Sequence, residues 1–354
     1  MCRGTQIDLV NLRKALEAHY GDVFGELSLI SRGAGAVFRS GFQQRGVIVK
    51  VYPGGAHRSA LEGQLRLLIE LPSYGIRCPA PLQGTHGSFT TSAKTPISQL
   101  TLAVYEEAPG ESIGGFTWKQ AQNLGATIAR LHSVPTHVVP SHYPTMDFRW
   151  LLHQPAEAIT TELNRLGIDQ GPFMSLVDRV ERDIAANLTT AKQGVFHGDL
   201  HYTNMHFTAG QPTLFDFEHS RVGPTSYDLA FFCLLGNARP NSAPGLQHAF
   251  LEGYETETHI SDNDLRIVPP LMAAFQIFAM GHHCTYQNAR YPKIDRHYME
   301  TNLEALRTYG QRETLYAING TPHRVIGGCL GSPRLHHHDL HPTPTKGNAP
   351  VPRT

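Results

Sequence analysis

The stretch His197-Gly198-Asp199-Leu200-His201-Tyr202-Thr203-Asn204, followed by Leu214-Phe215-Asp216-Phe217-Glu218, constrains this chain more than any other feature. Two short strand-like runs, 205–207 and 213–215, flank Thr208-Ala209-Gly210-Gln211-Pro212. That pattern predicts a β-hairpin with a glycine-centred turn over 208–212. Pairing 207 with 213 and 205 with 215 sets Asn204 opposite Asp216, at roughly 5 Å between facing backbones. A carboxamide oxygen and a carboxylate at that separation suit Mg²⁺, which takes oxygen ligands and keeps waters and phosphate oxygens around it. Asp199, one loop earlier, is placed to accept the proton of an attacking hydroxyl. A polar loop beside an ordinary hairpin would need none of these side chains at these spacings.

At 354 residues the chain is long enough for about two domains and a sizeable core. Lysine plus arginine is 30 and aspartate plus glutamate is 30, so no overall field draws it to nucleic acid or to an anionic membrane. The cysteines at 2, 78, 233, 284 and 329 are odd in number and widely spaced. They make neither a disulfide framework nor a paired-cysteine zinc site, and fit a reducing cytosol. The N-terminus has no signal-peptide apolar core, and the apolar run 229–235 is far too short to span a bilayer. A cytoplasmic protein is expected.

Apolar spacing predicts a first helix over 8–19, strands over 27–30, 36–39 and 47–52, and a helix over 57–71. A further strand is expected over 100–105. After Pro109-Gly110 the pattern turns helical, with helices over 117–132, 154–166, 173–189, 229–235, 244–257, 267–286 and 297–315. Thr225-Ser226-Tyr227-Asp228 reads as a capping box for the helix that follows it. Residues 318–354, rich in Gly, Pro, Thr and His, are expected to be a disordered tail; their cluster His336-His337-His338, Asp339 and His341 could bind metal adventitiously. The fold class expected is α+β, with a small β-rich lobe over 1–107 and a larger helical lobe over 108–317, the two-lobed layout of protein kinase-like folds.

With these residues placed, the chain resembles the aminoglycoside phosphotransferase and choline kinase superfamily over roughly residues 25–310. That superfamily replaces the HRD of protein kinases by HGD and the DFG by an aspartate in a DF-acid or DW-acid context. Here HGDLHYTN stands at 197–204 and LFDFEHSRVGPTSYDLAFF at 214–232. The overall texture is most similar to homoserine kinase of the second type and the stress-response kinase A group. The resemblance implies ATP and Mg²⁺ as cofactors, Asp199 as the group that orients and deprotonates the acceptor hydroxyl, and Asn204 and Asp216 as Mg²⁺ ligands. It implies that His197 braces the loop, that Lys50 reaches the ATP phosphates, and that Glu62 is the partner of Lys50.

Lys50, within Val47-Ile48-Val49-Lys50-Val51-Tyr52, lies on a central strand, and Glu62 lies near the start of the next helix. Their attraction at 4 Å would be about 4 kcal/mol for an effective dielectric of 20, enough to position the lysine. Gly33 and Gly35, between two strands, would let backbone N–H groups approach phosphates. No GxxxxGK[ST] is present, which excludes a P-loop NTPase. Adenine is expected against the backbone of 104–107, including Glu106, at a hinge between lobes. Glu218 is expected on a strand face with Asp216 and paired to Arg221, with Asp228 capping a helix and steadying the loop.

The reaction expected is transfer of the γ-phosphoryl of ATP to a hydroxyl of a small molecule: an amino alcohol, an aminosugar or a hydroxy amino acid. Residues 110–317 hold 21 acidic against 15 basic residues, which tolerates a cationic acceptor without forming a polycation pocket. His282 and Arg290 could instead bind a carboxylate. A protein Ser/Thr kinase is the second reading. A hydrolase with His197, Asp199 and His201 on a metal, and a nucleotide-binding pseudokinase, are the rivals from other classes. The sequence does not specify an oligomeric state.

Overall fold

Asp8 starts the first helix by accepting the N–H groups of Val10 and Asn11, and α1 (Leu9–Tyr20) ends where Gly21 turns left-handed. The computed structural model describes residues 7–32, 35–52, 58–94, 99–235, 245–286 and 293–307. After α1 come β1 (Ser28–Arg32), β2 (Ala36–Phe42), β3 (Arg45–Tyr52), α2 (Arg58–Glu70), β4 (Thr90–Lys94) and β5 (Gln99–Glu106). The strands form one antiparallel sheet in the order β1-β2-β3-β5-β4. Along β3 the side chains alternate between faces. Val47, Val49 and Val51 pack with Leu12, Leu16 and Phe24 in a core of their own, while Ile48, Lys50 and Tyr52 line the opposite face. Lys50 pairs with Val37 on one side and Ala103 on the other, so it stands in the middle of the sheet.

The rest of the chain is mainly helical. It holds α3 (Trp118–Leu131), α4 (Gln154–Leu166), α5 (Gly171–Leu188), β6 (Gln193–Phe196), β7 (Met205–Thr208), β8 (Gln211–Leu214), β9 (Arg221–Pro224), α6 (Ser226–Leu235), α7 (Leu246–Glu255), α8 (Asp262–Arg266), α9 (Val268–Thr285) and α10 (Arg296–Arg307). Thr117 and Gln120 form a reciprocal capping box at the start of α3. A π-helical turn at Arg149–His153 runs directly into α4. Two small antiparallel ribbons, β6-β9 and β7-β8, carry the key loops on this helical body. Leu214 donates to the carbonyl of Arg77 at 2.8 Å, tying the hairpin to the chain that leads back to β4.

The β7-β8 hairpin differs from the expected one. Its turn is Ala209-Gly210, both at positive φ (49° and 77°), a two-residue connection whose twist matches paired strands. The register is therefore Met205 with Leu214 and Phe207 with Pro212, one residue away from that expected. Strands β4, β6 and β9 were not anticipated. Thr90-Thr91-Ser92-Ala93-Lys94 lacks a large apolar residue, and β6 and β9 hold four residues each. The last helix was expected to reach 315; residues beyond 307 lie outside those described, as does the tail with its histidine cluster.

Candidate active site

A cavity of about 740 Å³ opens between the free face of the sheet and the helical body. Lys50, Glu106, Asn204, Asp216 and Glu218 all line it. Such a volume is in the range of small-molecule and cofactor sites. Lys50 crosses the gap, with its Nζ 2.6 Å from Asp216 Oδ1 and 2.8 Å from Glu218 Oε1. Burial alone would lower the pKa of this lysine, but Asp216 and Glu218 outweigh it and lift the group above its ordinary value. The same contact holds Asp216 below the usual carboxylate range against the effect of burial. Glu218 moves the other way, raised by burial and by Asp216 beside it.

The loop before β7 is held by buried polar contacts. His197 is fully buried; its Nδ1 accepts the Asp199 N–H at 3.2 Å and its Nε2 lies 3.1 Å from the Phe215 carbonyl. An acceptor role at Nδ1 assigns the proton to Nε2, and burial lowers the pKa of the ring. One imidazole thus ties the Asp199 loop to the residue before Asp216. Gly198 takes φ +84°, and a Cβ there would meet the His219 carbonyl at 2.5 Å, so the middle residue of HGD is sterically confined to glycine. Asp228, fully buried, accepts the N–H groups of His197 (2.7 Å) and Gly198 (2.9 Å), with His132 Nε2 3.0 Å from it. Its carboxylate steadies the loop, as expected; its partner His132 carried no signal in the sequence beyond a histidine at the end of an apolar helix.

Asp199 and Asn204 meet directly, with the amide Nδ2 of Asn204 donating to Asp199 Oδ2 at 2.7 Å and to its carbonyl at 3.2 Å. Because the amide nitrogen is engaged there, the Oδ1 of Asn204 is the atom left for a cation. Asp216 sits in the left-handed region at φ 66°, an uncommon place for a residue with a side chain, which turns the chain just past β8. The expected facing of 204 and 216 is replaced by a backbone bond from Phe215 to Asn204 at 3.0 Å, with Asp216 one residue further along. Both side chains still reach the cavity. Burial first, and then the charge of Asp216, push Asp199 up to about 7. The donor set suits the group expected there: one carboxamide oxygen and one carboxylate, all-oxygen and incomplete, are what Mg²⁺ shared with phosphate takes.

Two expected contacts are corrected. Glu62 does not meet Lys50; its carboxylate accepts from Thr90 Oγ1 (2.6 Å), Thr90 N (2.8 Å) and Phe89 N (3.2 Å), with Ser88 Oγ also donating to it. These donors, at the start of β4, hold Glu62 below its usual range even though burial raises it. Glu218 does not lie on a strand or pair with Arg221. Residues 217–219 form a 3-10 turn that swings Glu218 onto Lys50, and Arg221 lies over the Trp150 ring at 3.8 Å. The link from α2 to the site is made instead by Gln64, whose Nε2 donates to the carbonyls of Phe217 (3.0 Å), Glu218 (3.3 Å) and Ser220 (3.1 Å). A glutamine on the stripe of Leu61, Leu65 and Leu68 was the signal that could have revealed it. Glu106 lines the cavity, but its N–H is already donated to the Ala80 carbonyl at 2.9 Å. Gly35 stands just before β2, while Gly33 and Arg290 lie outside the described residues.

A family model described as the phosphotransferase enzyme family matches residues 26–261. This chain belongs to that family. It is a phosphotransferase. An uncharacterised protein of Deinococcus radiodurans is 27% identical over 267 residues, covering 74% of this chain and 78% of its own length. Among solved structures, an amicoumacin kinase in complex with AMP-PNP and Ca²⁺ superposes with a TM-score of 0.68 at 18% identity, covering 86% of this chain and 93% of that one. A microcompartment-associated aminopropanol kinase gives 0.63 at 18% identity, with 85% and 94% covered. A spectinomycin phosphotransferase gives 0.59 at 18% identity, with 86% and 94% covered. At these identities the likeness establishes the shared kinase-like α+β fold of the phosphotransferase. Among the described residues, no helix is long and apolar enough to cross a membrane.

Proposed function

We propose that this phosphotransferase moves the γ-phosphoryl of ATP to the hydroxyl of a small molecule in a Mg²⁺-dependent reaction in the cytoplasm. The observation that supports this reading best is the meeting of Lys50, Asn204 and Asp216 at one cavity, with Asp199 bonded to Asn204. Relatives of the same fold that bind AMP-PNP with Ca²⁺, or ADP, support the nucleotide.

Lys50 is the cation that receives nucleotide phosphate. It now lies on Asp216 and Glu218, and exchanging those carboxylates for phosphate oxygens keeps it charged. Asn204 Oδ1 and Asp216 would hold Mg²⁺, which when bound neutralises charge on the transferring phosphoryl group. Asp199 takes the proton of the acceptor hydroxyl and keeps that oxygen aimed in line; a positioned base of this kind is worth about 10²–10⁴ in rate. The Asp199 backbone, fixed through His197 and Asp228, limits the search for that geometry. For the hydrolase alternative, His197 has both ring nitrogens engaged by backbone groups, which leaves it no lone pair for a metal.

The test is ATP consumption with purified protein against a panel of amino alcohols, aminosugars and hydroxy amino acids. Acceptor-dependent ADP release that vanishes in folded Asp199→Asn supports the reading. ADP release that is unchanged in that variant rejects it.

A further inference from the structure

Arg221 is a cation that the phosphate chemistry above does not use. It sits on β9 opposite Phe196, and Phe196 immediately precedes the His197–Asp199 loop. Its guanidinium lies over Trp150 at 3.8 Å, a face-on cation–π placement. Burial lowers its pKa to about 10, so this charge is held partly out of water. The hydrogen bond it makes within the described residues is a long one, Nη1 to the His219 carbonyl at 3.4 Å. Asp147 acts on it electrostatically, but no carboxylate of the described residues stands within ion-pair distance. A guanidinium offers five donors in a planar fork, and most of this fork is uncommitted.

A second, independent feature lies beside it. Tyr227 is 1% exposed, and its hydroxyl has no hydrogen-bond partner among the described residues. Leaving a buried hydroxyl unpaired costs free energy, so such a group in a native site points to a missing partner. After burial, the charges acting on this hydroxyl are Asp228, Asp199 and, with opposite sign, Arg221. The Tyr227 ring is 6.0 Å from that of Trp150, which in turn is 5.0 Å from Phe278. The donor fork and the donor hydroxyl are thus within electrostatic reach of each other, the hydroxyl also within reach of Asp199, beside the rings of Trp150 and Phe278.

We propose that Arg221, with the Tyr227 hydroxyl, anchors a carboxylate on the acceptor, so that the acceptor is a small hydroxy acid or hydroxy amino acid and not a polycationic aminosugar. The inference rests on the phosphotransfer reading above and deepens it. A carboxylate oxygen accepts from the hydroxyl while the pair of oxygens meets the fork, and the cation excludes acceptors that bring only positive charge. The stacking on Trp150 holds the fork in one plane, which a lysine at this position could not reproduce.

The experiment uses matched acceptors that differ only in the carboxylate: L-serine and ethanolamine, L-homoserine and 3-aminopropan-1-ol, 4-hydroxybutyrate and propan-1-ol. The full chain is assayed with ATP and Mg²⁺, and ATP·Mg²⁺ binding is measured on the same preparation by calorimetry. At least one acid should be used with kcat/KM tenfold or more above its decarboxylated twin. Arg221→Gln should raise KM for that acid at least tenfold with KM for ATP unchanged, and Arg221→Lys should recover part of the loss. Tyr227→Phe, which breaks no bond within the described protein, should keep the melting temperature and raise the same KM severalfold. Equal use of both twins, use of the amines or propanol alone, use of none, or an Arg221→Gln effect confined to kcat overturns the anchor. A preparation that binds ATP·Mg²⁺ and ignores the acids loses the anchor alone; one that does not bind ATP·Mg²⁺ loses the phosphotransfer reading as well.

Discussion

His132 Nε2 lies 3.0 Å from Asp228 Oδ2, and both side chains are fully buried. The pair stands behind the loop that presents Asp199, because the same carboxylate takes the N–H groups of His197 and Gly198. Asp228→Ala therefore strands two buried backbone donors and a buried imidazole at once. Urea denaturation should show a loss of about 3–5 kcal/mol, since each buried donor left unsatisfied costs about 1–3 kcal/mol. His132→Phe keeps the ring volume but leaves the Tyr254 hydroxyl without its partner at 2.8 Å, and should cost about 1–3 kcal/mol. Parental stability in Asp228→Ala would show that the loop is held in some other way.

Asp199 should trade stability for activity. Its pKa in the folded chain, about 7, is above its ordinary value of 3.8, so between those limits the folded state binds more protons than the unfolded one. Stability from this group is therefore greatest in acid and declines as pH rises toward 7, reaching a penalty of a few kcal/mol above that pH. Asp199→Asn removes the penalty. Its melting temperature should exceed the parent's at pH 8 and match it more nearly at pH 5, while turnover is lost. A variant that melts lower than the parent at pH 8 would contradict the burial cause assigned here.

Gln64 holds the turn after Asp216 through a single amide nitrogen. Gln64→Leu should cost about 1–3 kcal/mol, because three carbonyls share the lost donor. Amide exchange at 217–220 should quicken while that of α3 stays unchanged. Gln64→Glu should be worse, since it turns a carboxylate toward those carbonyls. Unaltered exchange at 217–220 in both variants would remove Gln64 from the positioning of Asp216.

The two-lobed layout and the convergence of Asn204 and Asp216 were legible because they rest on local pattern: alternation in β3, helical spacing in α2 and α3, and polar residues at fixed offsets around a hairpin. The hairpin register was not legible, since it depended on Ala209 adopting a positive φ, which its residue type does not announce. Glu62 was misread because the donors of Thr90 reach its carboxylate only after the fold places β4 beside α2. Gln64 and His132 depend on partners 153 or more and 96 residues away, and no spacing rule reaches that far. Glu218 went astray for a local reason, since the left-handed Asp216 ended the assumed strand before the alternation could apply.

The most direct test of the central claim is phosphotransfer measured as a function of Mg²⁺ concentration for the parent, Asn204→Ala and Asp216→Asn, each first shown to be folded. Turnover should depend on Mg²⁺ in the parent, require at least tenfold more Mg²⁺ in Asn204→Ala, and be absent from Asp216→Asn at every concentration. Folded variants that keep the parent's rate and Mg²⁺ dependence would contradict it.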